Sequence, residues 1–226
     1  MKKILSFDGG GICGLLSLVV MDRILSKFPE LLKGVDLFAG TSTGGIIALG
    51  LADGLTISTL RKMYESQGHR IFKRKWLTPL GLTGAKYSNQ GLETLLKEIF
   101  RERTLGTLQG KVLIPAFMLH DSENQLWRPK FFNNWNEDDS DCSMLVRDVA
   151  LATSAAPTYF PAYGSYVDGG IVANNPAAAA TAMMLDPDVI GRRVNRKELR
   201  VLSIGTGLPR KSIEKENADW GILQWG

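Results

Sequence analysis

A chain of 226 residues, 44% hydrophobic and 22% charged, has the length of one mid-sized domain and an ordinary globular composition, which excludes disordered and fibrous classes. The formal net charge of +4 and pI near 9.1 favour an anionic partner without choosing between phospholipid and nucleic acid. Cys13 and Cys142 are too few for a disulfide framework, and Lys2 and Lys3 precede too short an apolar stretch for a secretory signal. The longest apolar run, Leu15 to Met21, falls far short of the roughly 20 residues of a membrane span, so a cytoplasmic chain with at most peripheral membrane contact is expected.

Ile4 to Phe7 reads as a buried strand, and the glycines from Gly9 to Gly14 end it before an apolar helix reaching about Lys27. The pattern repeats at once: Val35 to Ala39 as a strand, Gly40 to Gly44 as a turn, and Gly45 to Ala52 as a helix. Such βα units belong to a mostly parallel sheet, and the expected fold class is α/β. Thr56 to about Arg70 predicts a helix. Leu92, Leu95, Leu96, Ile99 and Phe100 mark the apolar face of another, which follows Ser88, Asn89 and Gln90. The connection from Lys73 to Lys86 is basic and long enough to suspect a functional segment.

Further on, Lys111 to Met118 predicts a strand, Gln125 to Phe132 a second, and Met144 to Thr153 a helix ended by the turn at Pro157. Trp127, Phe131 and Phe132 read as core. Tyr166 to Asp168 leads into another glycine turn. An alanine-rich helix, Ala177 to Leu185, has Pro176 suited to its first position, and Leu199 to Ile204 is a final buried strand.

Gly40-Thr41-Ser42-Thr43-Gly44 matches GxSxG between a strand and a helix, the context a nucleophile elbow requires. A serine at so sharp a turn takes a strained backbone, which flanking glycines make sterically possible. Its proton acceptor is not a histidine: His69 and His120 both precede every late aspartate, so the order serine, acid, histidine cannot follow Ser42. Asp168, in Asp168-Gly169-Gly170, is the candidate base. A lone aspartate is weak in water, so burial, a hydrogen bond to the hydroxyl and strong oxyanion stabilisation must compensate.

The loop from Asp8 to Gly14 offers backbone N–H groups at a helix start, suited to an oxyanion. Gly9, Gly11 and Gly14 also satisfy GxGxxG, the pattern of a dinucleotide site. Asp36 opens the second strand, however, whereas the ribose-binding carboxylate belongs at that strand's end. The basic aromatic stretch His69, Arg70, Phe72, Lys73, Arg74, Lys75 and Trp76 fits either an anionic bilayer surface or a solvated loop, and it lacks the repeated stacking aromatics of a nucleic-acid site.

Taken together, DGGGICG, GTSTG, the segment DVALATSAAPTYFPA from Asp148 to Ala162, and DGG followed by NNP resemble the patatin-like phospholipase family, in the family's order and over about Ile4 to Pro209. The resemblance implies a three-layer α/β/α fold with a mostly parallel central sheet. It also implies a Ser42–Asp168 dyad, an oxyanion loop of Gly9, Gly10 and Gly11, and hydrolysis of phospholipid or related acyl esters with no metal and no cofactor. An acyltransferase using the same nucleophile is the alternative; a nucleotide-binding module is a further one. Cys13 stands where the family usually carries an arginine, and reads as a small buried hydrophobe. Family members usually continue beyond Gly205-Thr206-Gly207, and Trp220 to Gly226 reads as an element just beginning. A single patatin-like domain over 1–226, truncated at its C-terminus, is therefore the expectation.

Overall fold

The computed structural model describes residues 1–71, 84–121, 126–135 and 140–208. Its first half comprises β1 (Lys2–Phe7), α1 (Gly14–Lys27), β2 (Leu37–Gly40), α2 (Thr43–Ala52), α3 (Ile57–Ile71) and α4 (Gln90–Phe100). Next come β3 (Val112–Met118), β4 (Arg128–Asn133), α5 (Val146–Thr153), β5 (Tyr166–Asp168) and α6 (Gly170–Ala173). The chain continues through α7 (Ala177–Leu185), α8 (Pro187–Ile190) and β6 (Leu199–Ile204). Most of the basic connection, including Phe72 to Trp76, lies outside the described residues, as do the side chains of His69 and Arg70 and the stretch Trp220 to Gly226.

The strands form one mixed sheet in the order β4-β3-β2-β1-β6, with β5 also paired to β3. The pairs β1–β2, β1–β6 and β2–β3 are parallel, whereas β4 and β5 both run antiparallel to β3. Parallel neighbours need crossover helices, and α1 and α2 lie between the central strands in sequence.

Alternation along the strands explains the layers. Leu5 and Phe7 of β1, Phe38 of β2, and Val112, Ile114 and Ala116 of β3 face a core shared with α1 to α5. Their neighbours Ile4, Leu37, Ala39 and Leu113 face the other side, where Ala180 and Met184 of α7 cover them. Helices on both faces make the arrangement a three-layer α/β/α fold. All ten residues of α2 are buried, as its uninterrupted apolar sequence TGGIIALGLA requires. In α4 the buried positions Leu92, Leu95, Leu96 and Phe100 recur at helical spacing, and each such side chain contributes about 1.5–3 kcal/mol of transfer free energy.

Several local expectations shift. The second strand begins at Leu37 rather than Val35, and Pro176 precedes the first helical residue of α7 instead of occupying it. Trp127 is not core: it is 73% exposed, just ahead of the outer strand β4, and meets the ring of Phe117 edge-on. Phe132 is fully buried and Phe131 packs against the smaller core. Cys13 is exposed, because the short 3-10 turn Gly11–Cys13 that carries it buries none of its residues.

Candidate active site

Ser42 stands between β2 and α2 with φ 54°, in the left-handed region that side chains rarely enter. Serine at this N-cap position normally folds its hydroxyl back onto the helix, but here it makes no such bond. The strained backbone therefore leaves the hydroxyl free for other partners. Glycine is obligatory around it: a Cβ on Gly40 would lie 2.0 Å from the Gly44 carbonyl oxygen, and one on Gly44 would lie 2.3 Å from that of Phe7.

Ser42 and Asp168, the latter at the end of β5, line one cavity, with the hydroxyl near enough to the carboxyl to lower its pKa. Asp168 is 6% exposed, and its Oδ1 also accepts the Gly170 N–H at 2.7 Å. Desolvation dominates and raises its pKa above the ordinary carboxylate range, while the bonds from Ser42 and Gly170 pull the other way. A buried carboxyl set beside a hydroxyl is a candidate general base. Gly169 permits the turn, since a Cβ there would lie 2.2 Å from the Pro115 carbonyl oxygen.

Thr153, the last residue of α5, ties these parts together. Its Oγ1 accepts the Ser42 N–H at 3.0 Å and donates to the Pro115 carbonyl at 2.6 Å. Its carbonyl accepts the Gly169 N–H at 3.2 Å, and the Ala155 carbonyl accepts the Asp168 N–H at 3.0 Å. Sequence reasoning counted Thr153 only as the end of a helix. Nothing local could mark it, because its partners lie far away along the chain.

The glycine loop is held from two sides. The Gly9 N–H donates to the Asn174 carbonyl at 3.0 Å, and the Gly9 carbonyl accepts from Thr206 Oγ1 at 2.9 Å and Asn174 Nδ2 at 3.4 Å. The Gly9 N–H, expected to face an oxyanion, is engaged with Asn174 in this structure. Gly10 and Gly11 line the cavity with Ser42, and among the described residues their N–H groups donate to no backbone carbonyl. Asp8 is raised by burial and eased by a hydrogen bond from Asn175, whose neighbourhood the NNP motif marks.

The cavity measures about 1020 Å³ and is mostly apolar, with walls that include Ile46 of α2, Met63 of α3, Leu92 and Leu96 of α4, and Phe160. His120 is exposed and does not line it. Asp36 is engaged by Lys2 Nζ at 2.6 Å and the Lys3 N–H at 2.8 Å, a structural role at the strand pair rather than a ribose site. Among the described residues no cluster of His, Cys, Asp or Glu could hold a metal ion, and no helix is long and apolar enough to cross a membrane.

Ser42 thus stands on a strand-to-helix elbow, the geometry of the GxSxG motif, in a three-layer α/β/α fold. The family model for patatin-like phospholipase matches residues 5–181, and the chain belongs to that family. It is 37% identical, over 76% of its length and 54% of the relative's, to a cGAMP-activated phospholipase of Pseudomonas aeruginosa. With Patatin-like protein 2 of Arabidopsis thaliana it shares 30% identity over its full length and 65% of the relative's. The crystal structure of VipD from Legionella pneumophila shares the fold at a TM-score of 0.52 and 14% identity, over 90% of this chain and 50% of that one. The chain thus spans about half to two thirds of the proteins it matches. Family and relatives place it among ester hydrolases rather than nucleotide-binding modules.

Proposed function

We propose that this chain is a serine acyl hydrolase of the phospholipase A or lysophospholipase type, cleaving acyl esters of membrane lipids through Ser42 and Asp168. The observation that carries the reading is the Ser42 hydroxyl, uncommitted to its own helix and lining one apolar cavity together with the buried Asp168 carboxyl. Ser42 Oγ attacks the acyl carbonyl as its proton passes to Asp168. The tetrahedral oxyanion is held by the Gly10 and Gly11 N–H groups, with Gly9 as the brace that fixes them. Collapse returns the proton from Asp168 to the leaving alcohol and leaves an acyl-enzyme. Water, deprotonated by the same carboxylate, then releases the fatty acid.

A volume of about 1020 Å³ is at the upper end for ligand cavities and accommodates a long acyl chain. Ile12, Tyr159 and Ile171 line the cavity and are also 46%, 50% and 54% exposed, so its entrance is rimmed by apolar side chains. Such a rim supports peripheral contact with a bilayer surface, from which lipid enters without crossing water.

The test is mass spectrometry of fatty acid and lysolipid released from mixed phospholipid vesicles, beside a Ser42→Ala control. Release by the native chain and none by the variant is expected. Acyl groups recovered mainly on an added alcohol or thiol would transfer the assignment to an acyltransferase, and equal release by both proteins would end the dyad.

A further inference from the structure

Two segments meet at the cavity rim, one ahead of α4 and one after α5. The Lys86 N–H donates to the Thr158 carbonyl at 2.9 Å, and the Tyr87 N–H to the Tyr159 carbonyl at 2.7 Å. Thr158 sits at φ 69°, a disfavoured conformation for a β-branched residue that the flanking bonds hold in place. Tyr87 and Tyr159 both line the cavity and stack with ring centroids 6.2 Å apart.

Lys86 completes the cluster. Its Nζ lies 5.4 Å from the Tyr87 ring centroid and 5.6 Å from that of Tyr159. Ring faces attract an ammonium without neutralising it or using its donors. Among the described residues Lys86 enters no ion pair, so its charge is not neutralised by a carboxylate as those of Arg61, Arg103 and Arg147 are. Among the described residues the cavity lining includes no cation for an anionic substrate. The charged residues of the described lining are Glu65 and Asp168.

We propose that Lys86, cradled by Tyr87 and Tyr159, is a phosphate subsite that receives the phosphodiester of a phospholipid headgroup while the acyl ester lies at Ser42. The assignment deepens the lipid hydrolase reading and rests on it. A rim cation separates the site's two tasks: the acidic interior keeps the base, and the anionic headgroup stays outside it.

The test compares two substrates that differ by the anionic headgroup: a medium-chain lysophosphatidylglycerol kept below its micelle concentration, and the monoacylglycerol of the same chain, which lacks the phosphoglycerol. In Lys86→Met the ratio of kcat/KM for the phosphate-bearing substrate to that for the neutral one falls about tenfold, the equivalent of one lost charge-assisted contact. Lys86→Arg, which keeps charge and stacking, restores the ratio to within about twofold. Inorganic phosphate in tenfold excess leaves lysophospholipid turnover within about twofold, because the subsite acts on phosphate delivered by the lipid. An unchanged ratio in Lys86→Met, equal loss on both substrates, or competition by inorganic phosphate at equal concentration would overturn the assignment. Ser42→Ala, run in parallel, reports on the nucleophile alone: turnover surviving there defeats the hydrolase reading whatever Lys86 does.

Discussion

Thr153 Oγ1 accepts the backbone N–H of Ser42 at 3.0 Å, so the last residue of one helix holds the first peptide of another. The same hydroxyl donates to the Pro115 carbonyl on β3, and the Thr153 carbonyl holds Gly169 beside Asp168. One side chain thereby sets the separation of hydroxyl and carboxyl. Thr153→Val keeps shape but strands a buried N–H and a buried carbonyl, costing about 1–3 kcal/mol of stability. A small displacement of the elbow lowers kcat by about 10²-fold with KM nearly unchanged. Thr153→Ser restores most of kcat. Steady-state kinetics on a soluble ester would sink this role if the valine variant lost only stability.

Asp168 carries a pH prediction with a definite sign. Burial raises its folded pKa, and the base must be ionised, so the acidic limb of kcat/KM lies above the ordinary carboxylate range. Linkage works against the fold: the native state holds this proton more tightly than the unfolded chain does. Stability from this group is full below the unfolded pKa, falls as pH rises through the window up to the raised folded pKa, and is gone above it. Asp168→Asn should lower turnover by about 10²–10⁴-fold. Its melting temperature at neutral pH should equal or exceed that of the native chain, with the difference shrinking in acid. A marked loss of stability at neutral pH would identify Asp168 as a structural residue instead.

Two glycines separate steric need from backbone preference. Gly40 sits where a Cβ would press 2.0 Å from a carbonyl oxygen inside the elbow, while Gly34 has φ 68° and open space around it. Gly40→Ala should cost about 3 kcal/mol and abolish activity, since the turn itself must move. Gly34→Ala should cost only about 1 kcal/mol, the left-handed penalty alone, and leave kcat unchanged. Thermal melts and ester turnover of the two variants check the ranking, and equal effects would contradict it.

How much of this was legible follows from how far each signal reaches along the chain. Ile4 to Phe7 and the run into Ala39 announced strands because alternate residues bury on opposite faces. Ser42 and Asp168 stood out in the sequence because glycines lie within two residues of each, where a Cβ would clash. The engagement of the Gly9 N–H left no local signal, because it depends on Asn174, a partner 165 residues away. Trp127 and Cys13 were misread because apolar character predicts burial only where another element covers the position. The Lys86 cluster left no motif at all, since its two segments become neighbours only once α4 and α5 pack together.

Ile171 tests the membrane-facing rim. It follows the Asp168-Gly169-Gly170 turn on α6, is 54% exposed, and lines the entrance of the cavity. Transfer of such a side chain from water into the interfacial region of a bilayer is favourable by about 1–2 kcal/mol, and a carboxylate there is repelled by anionic lipid. Ile171→Asp should therefore weaken binding to phosphatidylglycerol-containing vesicles by about tenfold or more, read by sedimentation. It should depress hydrolysis of vesicle lipid further than hydrolysis of a dissolved short-chain ester, because only the first reaction needs the rim to enter the bilayer. Proportional loss on both substrates would place Ile171 in the acyl path rather than at the membrane. Vesicle binding equal to that of the native chain would remove the rim from the docking surface.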